Sequence, residues 1–186
     1  VIGMIATLAG ISFPVYKSIQ KKVERQQFTM DMDAQSRAVE NFETEYNYLP
    51  YVGAYPANPD TPIDGAGGGA TAFFTILVGG ESTVNFKSIK FLEAREAKPL
   101  GAGYANGLHT AANGNTSYYT PHGTEYFRMQ LDYDNDGEIL FGYGIGVRPT
   151  NLTIMYMEPG PDGIWRTDDD FTNFQDLLDE TDYGRN

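Results

Sequence analysis

The 186 residues predict an α+β fold in which a long N-terminal α-helix packs against a C-terminal antiparallel β-sheet that carries an acidic C-terminal loop. Three observations predict it. Residues 1–16 are free of charge and run without a turn signal into a charged segment whose apolar residues recur at spacings of four and three, the period of one helix face. Leu49-Pro50 ends that pattern, because the residue before a proline avoids the α region. Late in the chain the pattern changes to period two over 126–132, 138–147 and 152–157, as half-buried strands require. The organisation is therefore a helix over 1–49 and a globular head over 50–186.

The uncharged opening, taken alone, is short: sixteen helical residues span roughly 24 Å against the ~30 Å hydrocarbon core of a bilayer. It contains Gly3, Gly10, Ser12 and Pro14. Proline removes a helix hydrogen bond and clashes with the carbonyl one turn back, so a break or stretch is expected between Gly10 and Pro14. A secretory signal places basic residues before its apolar stretch, whereas Lys17, Lys21, Lys22 and Arg25 follow this one. From Ser18 to about Tyr48, the residues Phe28, Met32, Gln35, Val39, Phe42, Tyr46 and Leu49 form one stripe. Lys22, Arg25, Asp33, Arg37, Glu40 and Glu43 lie off it. The stripe packs either on the chain's own head or on a partner helix.

In the head, 50–69 is rich in proline and glycine and reads as a loop. Ala70 to Val78 reads as a short apolar helix stopped by Gly79-Gly80. The stretch 85–94 fits neither template, and Gly101–Thr120 reads as an insert able to decorate the outer surface. Phe127, Met129 and Leu131 share one face of the first strand. In the second strand, read as continuous over 138–147, Gly142, Gly144 and Gly146 share a face, so a neighbouring backbone is expected to approach there. With 152–157 the strands predict an antiparallel meander.

Charge and composition narrow the function. The net charge is −12, and residues 151–186, with nine acids and two bases, supply −7 of it. Nucleic-acid binding needs a basic patch and is not expected, while divalent cations suit this balance. With no cysteine, neither disulfides nor thiolate metal sites are available. His109 and His122 lack metal-ligand spacing, and no nucleophile or phosphate-loop motif occurs, so no enzymatic activity is expected. Asn115 and Asn151 open glycosylation sequons that matter only in a glycosylating source. The 13 tyrosines and 11 phenylalanines are expected in the core and at subunit contacts.

Two acidic turns carry the site chemistry. Asp132-Tyr-Asp134-Asn-Asp136-Gly137 matches the opening of a calcium loop, where alternate carboxylates converge on a hard cation and glycine permits the sharp turn. The twelfth position is Tyr143 instead of an acid, and strands flank the turn, so a plain hairpin turn at Asn135-Asp136-Gly137 stands beside the calcium reading. The second turn, 160–170, gathers Asp162, Asp168, Asp169 and Asp170, whose mutual repulsion a cation or backbone amides would offset.

The segment Val1-Ile-Gly-Met-Ile-Ala-Thr-Leu-Ala-Gly-Ile-Ser-Phe-Pro-Val-Tyr-Lys resembles the N-terminal helix of type IV pilins and type II secretion pseudopilins, including a proline late in the apolar run. The resemblance implies a pilin-like fold and a filament-core helix with Ile2, Ile5, Leu8, Gly10 and Pro14 among its core positions. It implies homo-oligomerisation into a helical filament, residence in the bacterial inner membrane before assembly, and cleavage and N-methylation by a prepilin peptidase ahead of an assembly machinery. It places the product in a cell-surface or extracellular pilus or in a periplasmic pseudopilus. The family's early glutamate is absent, residue 5 being Ile. Aligning Pro14 with the family's proline puts roughly eight apolar residues ahead of Val1, lengthening the segment to about 36 Å and making Val1 an interior residue of the mature chain. The acidic tail is similar to the C-terminal loop of major pseudopilins, which implies calcium on Asp162, Asp168 and Asp170, with Arg166 departing from a glycine common there. Asp132, Asp134 and Asp136 form the lesser calcium candidate. A membrane-tethered, calcium-dependent binding module is the alternative to the filament subunit; an unbroken helix from anchor to head favours the subunit, since a tether more naturally uses a flexible linker.

Overall fold

A computed structural model describes residues 2–53, 63–64, 68–101, 103–121, 127–141, 146–149, 152–160, 163–165, 167 and 170–174, with backbone alone at 2–15, 17, 64, 68–69, 140–141 and 146–149. The fold is mixed α+β: one long helix, one short helix and small antiparallel sheets.

Helix α1 runs over Ile2–Tyr46, 45 residues. It continues through Gly10 and Pro14, so the expected break does not occur; one hydrogen bond lost at a proline bends a long helix more readily than it ends it. Among the described residues no helix is long and apolar enough to cross a membrane. The helix stops two residues earlier than the pattern predicts, at Asn47, whose φ of 59° is left-handed and whose N–H bonds the Glu43 carbonyl at 2.7 Å. Asparagine tolerates that conformation and caps the helix before Leu49-Pro50 is reached.

From Phe28 onward one face is buried: Phe28, Met32, Gln35, Val39, Phe42 and Tyr46, with Leu49 following. All but Gln35 join the main apolar core with Phe73, Phe74, Leu77, Tyr118, Met129, Leu131, Ile154 and Tyr156, so the stripe packs on the chain's own head. Each apolar side chain among them contributes about 1.5–3 kcal/mol by burial, whereas Gln35 is buried with no hydrogen-bond partner for its Oε1 among the described residues. Ahead of Phe28, the side chains from Ser18 to Gln27 are exposed or half-exposed.

Helix α2, Gly68–Leu77, turns Phe73, Phe74, Ile76 and Leu77 inward. The Gly79 N–H bonds the Ile76 carbonyl and the Gly80 N–H that of Thr75, closing the helix where the glycine pair predicts. Gly79 has φ +83°, and a Cβ there would lie 2.9 Å from the Ser88 carbonyl oxygen, so both conformation and space demand glycine.

The stretch 85–94 is irregular, and buried Asn85 organises it. Its Oδ1 accepts from the Tyr46 hydroxyl at 2.6 Å and the Ile89 N–H at 3.0 Å, while its Nδ2 donates to the carbonyls of Ile76 at 2.8 Å and Ile89 at 2.7 Å. One amide thus ties the end of α1 to the end of α2. Outside it, Lys87 pairs with Glu45.

Short strands follow the loop strand β1 (Ile63–Asp64): β2 (Lys98–Leu100) pairs with β3 (Gly103–Ala105), and β4 (Gly107–Thr110) with β5 (Thr116–Tyr119). The stretch 101–120 is therefore part strand and part surface, exposed at Gly101 and over 110–115. Thr116, Tyr118 and Thr120 are buried, and β5 is fastened to α2 through the Thr116 N–H to the Thr75 hydroxyl and a Thr71–Ser117 hydroxyl pair.

Strand β6 (Arg128–Leu131) is central with β9 (Ile154–Glu158); the main sheet has the order β1-β6-β9-β10, closed by Phe171–Thr172 as β10. Leu131 pairs with Ile154 and Arg128 with Met157. The segment predicted as one strand over 138–147 is instead an antiparallel hairpin of β7 (Glu138–Phe141) and β8 (Gly146–Pro149). It is an excursion between β6 and β9, so the meander is corrected to direct β6–β9 pairing. Gly142 and Gly144, and with them the expected backbone approach, lie outside the described residues. Neither β1 inside the 50–69 loop nor β10 is predicted by pattern, each being two residues long.

Candidate functional site

Asp132, Asp134 and Asp136 alternate along a corner between β6 and β7. Alternation puts one carboxylate oxygen from each within 4.8 Å of the others, and this cluster can hold a metal ion. Two residues turn the chain: Asn135 at φ 55° and Gly137 at φ 78°, the latter where a calcium loop needs its glycine. Asp132 is buried; its Oδ1 accepts the Asp136 N–H at 3.3 Å and its Oδ2 the Gly137 N–H at 3.1 Å. Asp134 and Asp136 are exposed. Burial pushes the Asp132 carboxyl above its ordinary value, only partly offset by the amide of Gly137. A cation would reverse that push by favouring the charged form. The plain-hairpin reading is corrected, since β6 pairs with β1 and β9 and β7 pairs with β8, leaving the turn as a corner between two sheets.

Of the tail residues, Asp162 and Asp168 lie outside the described residues. Asp170 is buried beside β10, where its Oδ1 accepts the Thr167 hydroxyl at 3.2 Å. Among the described residues it joins no convergent carboxylate cluster. Ile2, Ile5, Leu8, Gly10 and Pro14 all fall within α1, whose backbone is continuous through them.

Two further features escape the motifs. On the surface of α1, Tyr16, Ile19, Val23 and Met30 are exposed by 62, 55, 44 and 60%. Their spacings of three, four and seven form a row that sequence periodicity alone reveals, on the side away from Phe28 and Met32. Beneath α1, Asp31 Oδ2 accepts both Arg95 Nη2 at 2.7 Å and the Tyr118 hydroxyl at 3.0 Å, tying the helix to β5 and to the segment before β2. Burial first, and the Asp31 charge second, hold the Tyr118 phenol well above its ordinary pKa. Nothing local in the sequence marks this triad, whose members are 64 and 87 residues from Asp31.

No family model matches the chain, and neither do any curated protein or solved structure.

Proposed function

We propose that this chain is the structural subunit of a helical filament, type IV pilus-like or type II secretion pseudopilus-like, with a pilin-like fold. The observation that carries the reading is α1 itself: one uninterrupted helix whose later half is built into the head while Tyr16, Ile19 and Val23, ahead of it, present apolar side chains to solvent. An apolar helical row without an internal partner is what a repeating subunit offers its neighbours. In this reading the uncharged opening is stored in the inner membrane, processed by a prepilin peptidase and transferred to the filament core, and no catalysis is involved. Electron microscopy of filaments sheared from producing cells tests it: fibres that contain this chain as the repeating subunit are expected, and detergent-bound monomers alone would reject it.

The acidic corner favours a second element of the proposal, calcium as the cation on Asp132, Asp134 and Asp136, joined in the tail by Asp162, Asp168 and Asp170. It would also serve the alternative, a tethered calcium-dependent binding module, which the microscopy separates from the subunit. Binding only the folded state stabilises by about 2.7 kcal/mol at calcium one hundred times its dissociation constant. Calcium is therefore expected to raise Tm by roughly 5–10 °C over chelator, using the usual 2–4 °C per kcal/mol for a chain of this size. Asp134→Asn with Asp136→Asn should lose the part of that rise owed to the corner; an identical calcium response in the variant would remove the corner as a site.

A further inference from the structure

The charges on α1 fall into two blocks. Residues 17–25 hold Lys17, Lys21, Lys22 and Arg25 against Glu24, and residues 31–45 hold Asp31, Asp33, Glu40, Glu43 and Glu45 against Arg37, with Asp31 engaged by Arg95 of its own head. Glu45 is already paired with Lys87 in its own head. Lys22, Arg25, Asp33 and Glu40 are exposed, Glu43 is half-buried, and none of these five takes part in an ion pair among the described residues. A shallow groove lined by Lys22, Arg25, Gln26, Thr29 and Met30 runs alongside the exposed apolar row.

Lys22 and Glu40 are 18 residues apart, and so are Arg25 and Glu43. Of all the offsets that bring the four bases to Asp33, Glu40 or Glu43, eighteen is the only one that makes two pairs at once. Eighteen residues are also five whole turns at 3.6 residues per turn, so both pairs keep the same angular position while moving about 27 Å along the axis.

On the subunit reading, on which this rests, we infer that α1 of one copy lies parallel to α1 of a second copy, slid by eighteen residues, with Lys22 against the neighbour's Glu40 and Arg25 against its Glu43. Packing about a shared axis turns the same face of every subunit inward, which lets residues at one angular position meet. A parallel pair in register would oppose Lys22 to Lys22 and Glu40 to Glu40, and like charges in contact are strongly disfavoured. A staggered contact is heterologous and does not close on itself, so each copy exposes the site for the next. The apolar row of Ile19, Val23 and Met30 supplies the burial beside the charges, and the charges fix the register.

The absence of cysteine makes the test clean. The full chain carrying Lys22→Cys and Glu40→Cys is assembled, oxidised and run on denaturing gels without reductant. Within one helix the two positions are about 27 Å apart, beyond the ~7 Å Cα separation a disulfide tolerates, so every bond formed is between copies. A ladder of covalent multimers is expected from the double variant and monomer from each single variant. Filaments without a ladder, or dimers from Lys22→Cys alone, would overturn the register while leaving the subunit reading intact. Lys22→Glu with Arg25→Glu should cut filament yield at least about tenfold, with Glu40→Lys and Glu43→Lys added together restoring it. An unrestored yield, with unchanged melting of the head, also overturns it. No filaments from the unaltered chain would reject the subunit reading, and the register would fall with it.

Discussion

Replacing Asn85 with alanine is expected to lower unfolding stability by about 4 kcal/mol and Tm by roughly 10 °C. The side chain makes four hydrogen bonds and is fully buried, so its removal strands the Tyr46 hydroxyl, the Ile89 N–H and the Ile89 carbonyl where water cannot replace it, while the Ile76 carbonyl keeps the Gly79 N–H. Stranded buried groups each cost about 1–3 kcal/mol, and the Tyr46 oxygen keeps one contact, from the Lys87 N–H at 3.2 Å. Denaturant unfolding of the two proteins measures the difference. A loss below about 1 kcal/mol would show that α1 and α2 hold together without this amide.

The second large effect is a dependence on pH seated at Glu158. Along β9, Ile154, Tyr156 and Glu158 alternate onto the face under α1, which places a carboxylate in an apolar layer. Neither of its oxygens, nor the Thr120 hydroxyl beside it, has a hydrogen-bond partner of good geometry, although that hydroxyl is near enough to offset part of the shift. Burial, reinforced by Glu24 and Asp170, lifts the carboxyl from 4.5 to about 7. The folded chain therefore keeps a proton that the unfolded chain releases near pH 4.5, and the contribution of this group is fully present below that pH and lost as pH rises through 7. Glu158→Gln, which carries no charge at any pH, should unfold at least as late as the parent at pH 8, and the stability difference between the two should change by roughly 2–3 kcal/mol between pH 5 and pH 8. Parallel pH profiles for the two proteins would show that Glu158 is not the group responsible.

The helices were legible because burial repeats along them. Phe28 to Tyr46 keeps its period through five turns, and Gly79-Gly80 marks the end of α2 by conformation alone. Strands β6 and β9 were legible for the same reason. The β7–β8 hairpin was not, since the apolar alternation runs unbroken in the sequence from Ile139 to Val147, although the register sets Leu140 opposite Val147 and Phe141 opposite Gly146. Pairing of β6 with β9 skips that hairpin, and no local pattern encodes a partner as far away as Ile154 is from Leu131. The β4–β5 hairpin had a signal in Asn113-Gly114, where Gly114 has φ +86° and the Asn113 side chain accepts the Asn115 N–H at 3.1 Å. Its four-residue strands were too short for periodicity to register. At the acidic corner the spacing of Asp132, Asp134 and Asp136 announced convergence, but only the packed structure shows that Asp132 is buried and the others exposed. Glu158 was hidden because an acid reads as lying beyond the strand, and here it is the last residue of β9, opposite Phe171 of β10.

Asp31 and Tyr46 anchor α1 to the head at two places fifteen residues apart, about 22 Å along the helix. Tension applied along the helix axis loads both anchors together, in shear, so neither hydrogen-bonded cluster yields until the force divides across both. A sideways pull on residues 16–23 loads the Asp31 anchor first, and reaches the Tyr46–Asn85 anchor only after the buried stripe between them has parted. The head is thus mounted as a strong joint in one direction and a weak one in the other, which on the proposed subunit reading suits a fibre stretched along its length better than one that is bent.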